Sequence, residues 1–133
     1  MPDSALPQGN GECIMVIDDE PALAGLAQEM LAELGYEAVA FTSSADALDA
    51  YNRDPSRFDA ILSDEVMPQL TGTQFTMRLR QAHASLPILI ISGYGGPGFE
   101  VRAREAGVDR LLRKPYRKRE LAEALAALLP VRN

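Results

Sequence analysis

Apolar residues along this chain alternate between two rhythms. Ile14-Met15-Val16-Ile17, Ala60-Ile61-Leu62-Ser63 and Ile88-Leu89-Ile90-Ile91 are short, nearly unbroken runs and read as strands. Between the first two the spacing turns helical. Leu23, Leu26, Ala27, Met30, Leu31 and Leu34 recur with the helix period, with Pro21 in the first turn and Gly35 as the stop. Glu37 to Phe41 alternates as a second strand. Ser43 or Ser44 caps a helix reaching to Asn52, with Ala47, Leu48 and Tyr51 inward and Asp46 and Asp49 outward. Asp54-Pro55-Ser56 is a turn. A helix from Gly72 to His83 directs Phe75, Leu79 and Ala82 to the core. Pro87 opens the next strand, Gly93 to Gly98 is the most flexible stretch, and a helix then runs to Ala106 with Gly107 as its cap. A short strand over Arg110 to Leu112 precedes a last helix, Arg117 to Leu129, with Leu121, Leu125 and Leu128 on one face.

Five strands, each followed by a helix, imply right-handed crossovers and a doubly wound parallel α/β sheet. With 133 residues, 47% of them hydrophobic, the chain builds one core and not two. The expected organisation is one domain over 12–130 behind a flexible tail over 1–11. The net charge of -6 argues against a nucleic-acid or anionic-membrane surface. The basic cluster Arg113, Lys114, Arg117, Lys118 and Arg119 reads as a solvated helix start, since only Tyr116 is interleaved. A single cysteine, Cys13, excludes an intramolecular disulfide and suits a small apolar niche in a reducing compartment. No run approaches the about 18 apolar residues of a membrane span. Met1 to Gly11 lacks the basic start and apolar centre of a signal peptide. A cytoplasmic protein is expected.

The chemistry lies where the strands end. Asp18 and Asp19 follow the first strand, Asp64 ends the third, Ser92 ends the fourth, and Lys114-Pro115 follows the fifth. In an open parallel sheet these ends meet at the carboxyl edge, where ligands bind. Carboxylates, a hydroxyl and an ammonium together suit a hard divalent cation and a phosphoryl group. Asp19 and Asp64 are expected to ligate magnesium, with Asp18 holding a bound water. Singly, each residue has a plainer reading: Asp-Asp-Glu-Pro as a helix start, Asp64 as a loop carboxylate, Ser92 as a turn residue, Lys114 as an exposed lysine. Asp64 is either a ligand alone or a nucleophile forming an acyl phosphate, with Lys114 and Ser92 meeting the phosphoryl oxygens. A cis Lys114-Pro115 bond would aim the lysine into the site. Glu65 has no evident role and is expected to face solvent. No general base stands nearby, and His83 reads as a surface residue, so the chemistry stops at a slowly hydrolysed aspartyl phosphate. Gly93-Tyr94-Gly95-Gly96-Pro97-Gly98 matches G-x-G-x-x-G, yet Glu120 falls inside the last helix and not at a strand end, which argues against a dinucleotide site.

Val16-Ile17-Asp18-Asp19-Glu20-Pro21, Asp64-Glu65-Val66-Met67-Pro68 with Gly72, Ser92-Gly93 and Lys114-Pro115-Tyr116 resemble, in order and spacing, the receiver domain of two-component response regulators. The resemblance covers Cys13 to Leu129. It implies a flavodoxin-like five-stranded sheet of order 2-1-3-4-5 with five helices. It further implies Asp64 as phosphoacceptor, Asp18, Asp19, Asp64 and the Val66 carbonyl as magnesium ligands, and Ser92 and Lys114 as the switch and phosphate-binding residues. The partners implied are a histidine kinase or histidine phosphotransfer protein and a downstream effector, reached through the fourth helix, fifth strand and fifth helix. Two positions depart: Leu111 replaces the usual aromatic, and Thr71 replaces a frequent Asp. The glycine-rich loop and Leu-Arg-Lys-Pro-Tyr string are similar to receivers of hybrid histidine kinases. A stand-alone receiver, or one from a longer chain, is expected, acting as a phosphoacceptor and not as an enzyme. The alternatives are a magnesium-dependent phosphatase using an aspartyl-phosphate intermediate and a receiver that never sees phosphate.

Overall fold

Successive residues of a strand point to opposite faces, so an unbroken apolar run can be buried on both sides only if helices cover both. The structure, a computed structural model describing residues 6–93 and 96–129, is built on that rule. In chain order it contains β1 (Cys13–Ile17), α1 (Pro21–Glu33), β2 (Glu37–Phe41), α2 (Ser44–Arg53), a 3-10 turn (Pro55–Arg57) and β3 (Ala60–Asp64). There follow α3 (Gly72–Gln81), β4 (Ile88–Ser92), α4 (Gly96–Ala106), β5 (Arg110–Arg113) and α5 (Lys118–Leu128). All neighbouring strands pair parallel in the order β2-β1-β3-β4-β5, the flavodoxin-like order expected.

Ile14, Val16, Leu62, Leu89 and Ile91 face one way, onto Leu31 of α1 and Leu121 and Leu125 of α5. Met15, Ile17, Ile61, Ile88 and Ile90 face the other, onto Ala47 of α2, Phe75 and Leu79 of α3 and Ala103 of α4. Each such aliphatic side chain contributes about 1.5–3 kcal/mol by leaving water. Cys13 is buried in the second cluster, in the apolar niche expected of it.

Several elements depart from the sequence reading. Of the six periodic residues, Leu31 and the cap residue Leu34 are fully buried and Ala27 nearly so, while Leu23 and Leu26 are exposed. The small Ala24 and Ala27 lie against the sheet, and the larger Leu23, Leu26 and Met30 form a second row beside them. Helix α3 stops at Gln81, so Ala82 is an exposed cap and not a core residue. His83 takes a left-handed φ of 66° while Ala84 N–H bonds back to the Leu79 carbonyl at 2.9 Å, which closes the helix end. Helix α4 begins at Gly96, inside the stretch read as flexible, because Pro97 is tolerated in a first turn. Tyr94 and Gly95 lie outside the described residues. So do residues 1–5 of the expected tail; from there Leu6 packs on the first core cluster, and the N–H groups of Gly9 and Gly11 reach the Leu34 and Gly35 carbonyls at 2.7 and 2.8 Å.

At the amino edge of the sheet Arg80 ties three segments together. Its Nε and Nη2 donate to the Gly107 carbonyl, its Nη1 to the Ala84 and Leu86 carbonyls, and Nη2 also to Asp109 Oδ2 at 2.8 Å. Gly107, at φ 104°, has no room for a side chain because a Cβ would meet Arg80 Cγ at 2.6 Å.

Candidate functional site

The strand register aligns Ile17 with Ser63, Asp64 with Ile91 and Ser92 with Arg113, so the polar strand ends lie side by side at the carboxyl edge. Asp18, Asp64 and Ser92 are all buried, Asp19 partly exposed. One carboxylate oxygen from each of Asp18, Asp19 and Asp64 lies within 4.8 Å of the others. Lys114 Nζ stands 3.1 Å from Asp64 Oδ1, and the Lys114-Pro115 bond is cis. The Lys114 N–H also donates to the Ser92 carbonyl at 2.9 Å, which fastens the β5 exit to the end of β4.

Asp18 Oδ1 accepts the Glu20 N–H at 2.9 Å, which turns the chain into α1. Burial raises the Asp18 carboxyl above its ordinary value; the Glu20 N–H lowers it, Asp64 raises it, Lys114 lowers it and Asp19 raises it. Burial likewise raises the Tyr116 hydroxyl, with Asp18 and Asp64 adding to it. Three crowded carboxylates with a single ammonium among them form a hard-oxygen donor set suited to a divalent cation. Val66, in the loop after β3, holds its side chain 74% exposed, and among the described residues its carbonyl accepts none of the backbone hydrogen bonds found outside helices and strands.

Other residues hold this edge in place. Glu65 Oε1 accepts from the Thr73 N–H at 2.8 Å and the Thr73 hydroxyl at 2.7 Å, capping α3 and not facing solvent as expected. Thr71 and Gln74 form a reciprocal capping box at the same helix start. The Thr-x-x-Gln spacing was the sequence signal for it; Glu65 carried none beyond being acidic ahead of a helix. Gly72 packs so closely that a Cβ there would meet the Asp64 carbonyl at 2.7 Å and Ile90 Cδ1 at 2.8 Å. The Ser63 hydroxyl bonds the Asp64 carbonyl from below at 2.9 Å.

Two hollows adjoin the site. One, of about 460 Å³, is lined by Leu23, Leu26 and Met30 of α1 together with Lys114, Pro115 and Tyr116. The other, of about 80 Å³, lies beneath Ser92 between Phe99 of α4 and Leu111 of β5. His83 follows the carboxyl end of α3, at the opposite edge of the sheet from Asp64, and Glu120 caps the Arg117 N–H inside the start of α5. Neither enters the site. Among the described residues no helix is long and apolar enough to cross a membrane.

Comparison with known proteins agrees with this geometry. Residues 14–126 match the response regulator receiver domain family. The fold is similar to that of a receiver domain protein from Clostridium thermocellum, at 25% identity and TM-score 0.83 over 88% of this chain and 93% of that one. Chemotaxis protein CheY4 of Vibrio cholerae is similar at 26% identity and TM-score 0.82, over 90% of this chain and 99% of that one. The sensor histidine kinase RcsC of Escherichia coli strain K12 is 31% identical over 113 residues, which are 85% of this chain and 12% of that kinase. The chain thus spans a small part of the length of that curated relative. It belongs to the response regulator receiver domain family and is a phosphoacceptor signalling domain.

Proposed function

We propose that Asp64 takes a phosphoryl group from the phosphohistidine of a histidine kinase or a histidine phosphotransfer protein, in the cytoplasm and with magnesium. The observation that carries this is Asp64 itself: a buried carboxylate with Lys114 at 3.1 Å and two further carboxylates within ligand distance. Asp64 attacks phosphorus, the bond to the donor imidazole breaks, and an acyl phosphate remains. Asp18, Asp19, Asp64 and the Val66 carbonyl would hold magnesium, which when bound neutralises charge on the phosphoryl oxygens. Lys114 meets one of those oxygens and Ser92 donates its hydroxyl to another, leaving the 80 Å³ hollow larger on one side. Leu111 fills less of that space than an aromatic ring, so the response concentrates at the start of α4. The apolar hollow beside α1 suits the helical surface of a phosphodonor.

Among the described residues no side chain near Asp64 is placed to activate water, which favours slow hydrolysis over turnover. The phosphatase alternative finds no support: the position two residues after Asp64, where such enzymes carry an acid, is the exposed Val66. The test is intact mass measurement after incubation with acetyl phosphate and magnesium. One phosphoryl addition, lost at alkaline pH and absent in Asp64→Asn, is expected; addition mapped to Ser63, Ser92 or His83 would overturn the assignment.

A further inference from the structure

Helix α1 meets the sheet through small side chains. Ala24 and Ala27 are buried against it, while Leu23, Leu26 and Met30 stand in a second row beside them. The short residues leave a space that the long ones rim and do not fill. It measures about 460 Å³, within the roughly 300–1,000 Å³ of small-molecule sites. Its floor is the sheet itself, where Val16, Leu62 and Ile91 line it and are otherwise buried. Leu26, 52% exposed, and the exposed Pro115 mark its open side.

Among the residues that line this hollow, only Asp18, Lys114 and Tyr116 carry polar side chains. All three belong to its end nearest Asp64. Asp18 shares the carboxylate cluster, Lys114 pairs with Asp64, and the Tyr116 hydroxyl feels the charges of Asp18 and Asp64. The rest of the lining offers water no polar side chain, so water gains little there. A plainer reading is a groove covered by the helical surface of a phosphodonor. A helix laid across Leu23 and Leu26 closes the mouth, yet the space over Val16 and Leu62 stays empty beneath it. Only a slender apolar group fills that depth.

We propose that the hollow between α1 and the Lys114-Pro115-Tyr116 turn binds a small uncharged apolar molecule with one hydrogen-bonding end. Its apolar body lies on Val16, Leu62 and Ile91 beside Leu26 and Met30, and its polar end meets the Tyr116 hydroxyl. A charged end of either sign is disfavoured there, because an anion would face Asp18 and a cation would face Lys114. A poorly hydrated apolar cavity favours such an occupant, since little ordered water has to leave it. The inference goes beyond the signalling reading and does not depend on it.

The test is fluorescence titration of the full chain with N-phenylnaphthylamine, an uncharged apolar probe with a single N–H, and with its anionic analogue anilinonaphthalene sulfonate. Saturable binding of the uncharged probe is expected, tighter than that of the sulfonate by at least about tenfold. It should weaken by at least about tenfold in Ala27→Leu, whose larger side chain fills the hollow. It should also weaken in Leu26→Glu at the mouth, and be unchanged in Met77→Glu, which removes an exposed apolar residue from α3. Circular dichroism checks folding, and Leu26→Glu, at an exposed position, keeps the test open if Ala27→Leu does not fold. No saturable binding, equal binding by the native chain and both α1 variants, or an equal loss in Met77→Glu would overturn the proposal. Tighter binding of the sulfonate would overturn it in favour of an anionic ligand. A concentration-dependent dimer broken by Leu26→Glu, with no probe bound, would overturn it in favour of a second copy. Intact mass after acetyl phosphate separates the two readings: labelling without probe binding sinks the ligand site alone, and probe binding without labelling sinks the signalling reading alone.

Discussion

The Lys114 ammonium and the Asp64 carboxylate, 3.1 Å apart, join the exits of β5 and β3 across the intervening strand. Lys114 is about one-third exposed, so water screens much of the attraction. Lys114→Ala should lower stability by no more than about 1 kcal/mol while impairing the response to phosphorylation. Urea melts read the first effect. Amide exchange of α4 with and without beryllofluoride reads the second, and a variant that unfolds outright would contradict this account.

Asp18 supplies a pH-dependent prediction. Its folded value is raised, mainly by burial, above the ordinary 3.8. The folded chain therefore holds this proton more tightly than the unfolded chain. Ionisation costs stability, a cost absent below the unfolded value and fully present once pH has risen through the folded one. In metal-free buffer Asp18→Asn, which keeps an oxygen for the Glu20 N–H, should be more stable than the native chain at neutral pH, and the gap should close as pH falls towards about 4. Magnesium should reverse the ranking by stabilising the native chain more than the variant. Thermal melts across this range, with magnesium and with EDTA, check both.

Glu65 should prove a folding residue. Glu65→Ala leaves both Thr73 donors without their acceptor and should cost about 1 kcal/mol. Glu65→Gln retains an oxygen for them and should cost less than half of that. Chemical denaturation midpoints decide it, and an unchanged midpoint in the alanine variant would show that water replaces the cap.

At the far end of the same helix, His83 holds a left-handed backbone that a side chain disfavours. His83→Gly should raise stability by about 1 kcal/mol and leave acetyl-phosphate labelling unchanged, since the residue lies at the edge of the sheet away from Asp64. Equal melting temperatures for the two chains would refute this.

The strand ends were legible because each apolar run stops at a polar residue, and a parallel sheet brings such stops to one edge. Asp18, Asp19, Asp64, Ser92 and Lys114 were all placed at that edge in this way. Depth within a helix was not legible. Counting apolar types makes Leu23 and Leu26 equal to Leu31, yet α1 lies so close to the sheet that Ala24 and Ala27 take the inward places. Helix ends were missed where the cap departs from the usual residue. Gly35 and Gly107 announced their turns, and His83, adopting the same conformation, did not. Glu65 was missed because its partner, Thr73, is met only after the loop folds back.

Arg80 has a mechanical consequence. Three of its N–H donors are spent on Gly107 and Asp109, just past the carboxyl end of α4, and the other two on Ala84 and Leu86 ahead of β4. The amino end of that helix begins beside Ser92, on a glycine in a left-handed conformation. A rod clamped at one end swings and does not slide. A displacement of that amino end would therefore grow with distance from Gly107, so α4 is built as a lever whose fulcrum is a single arginine.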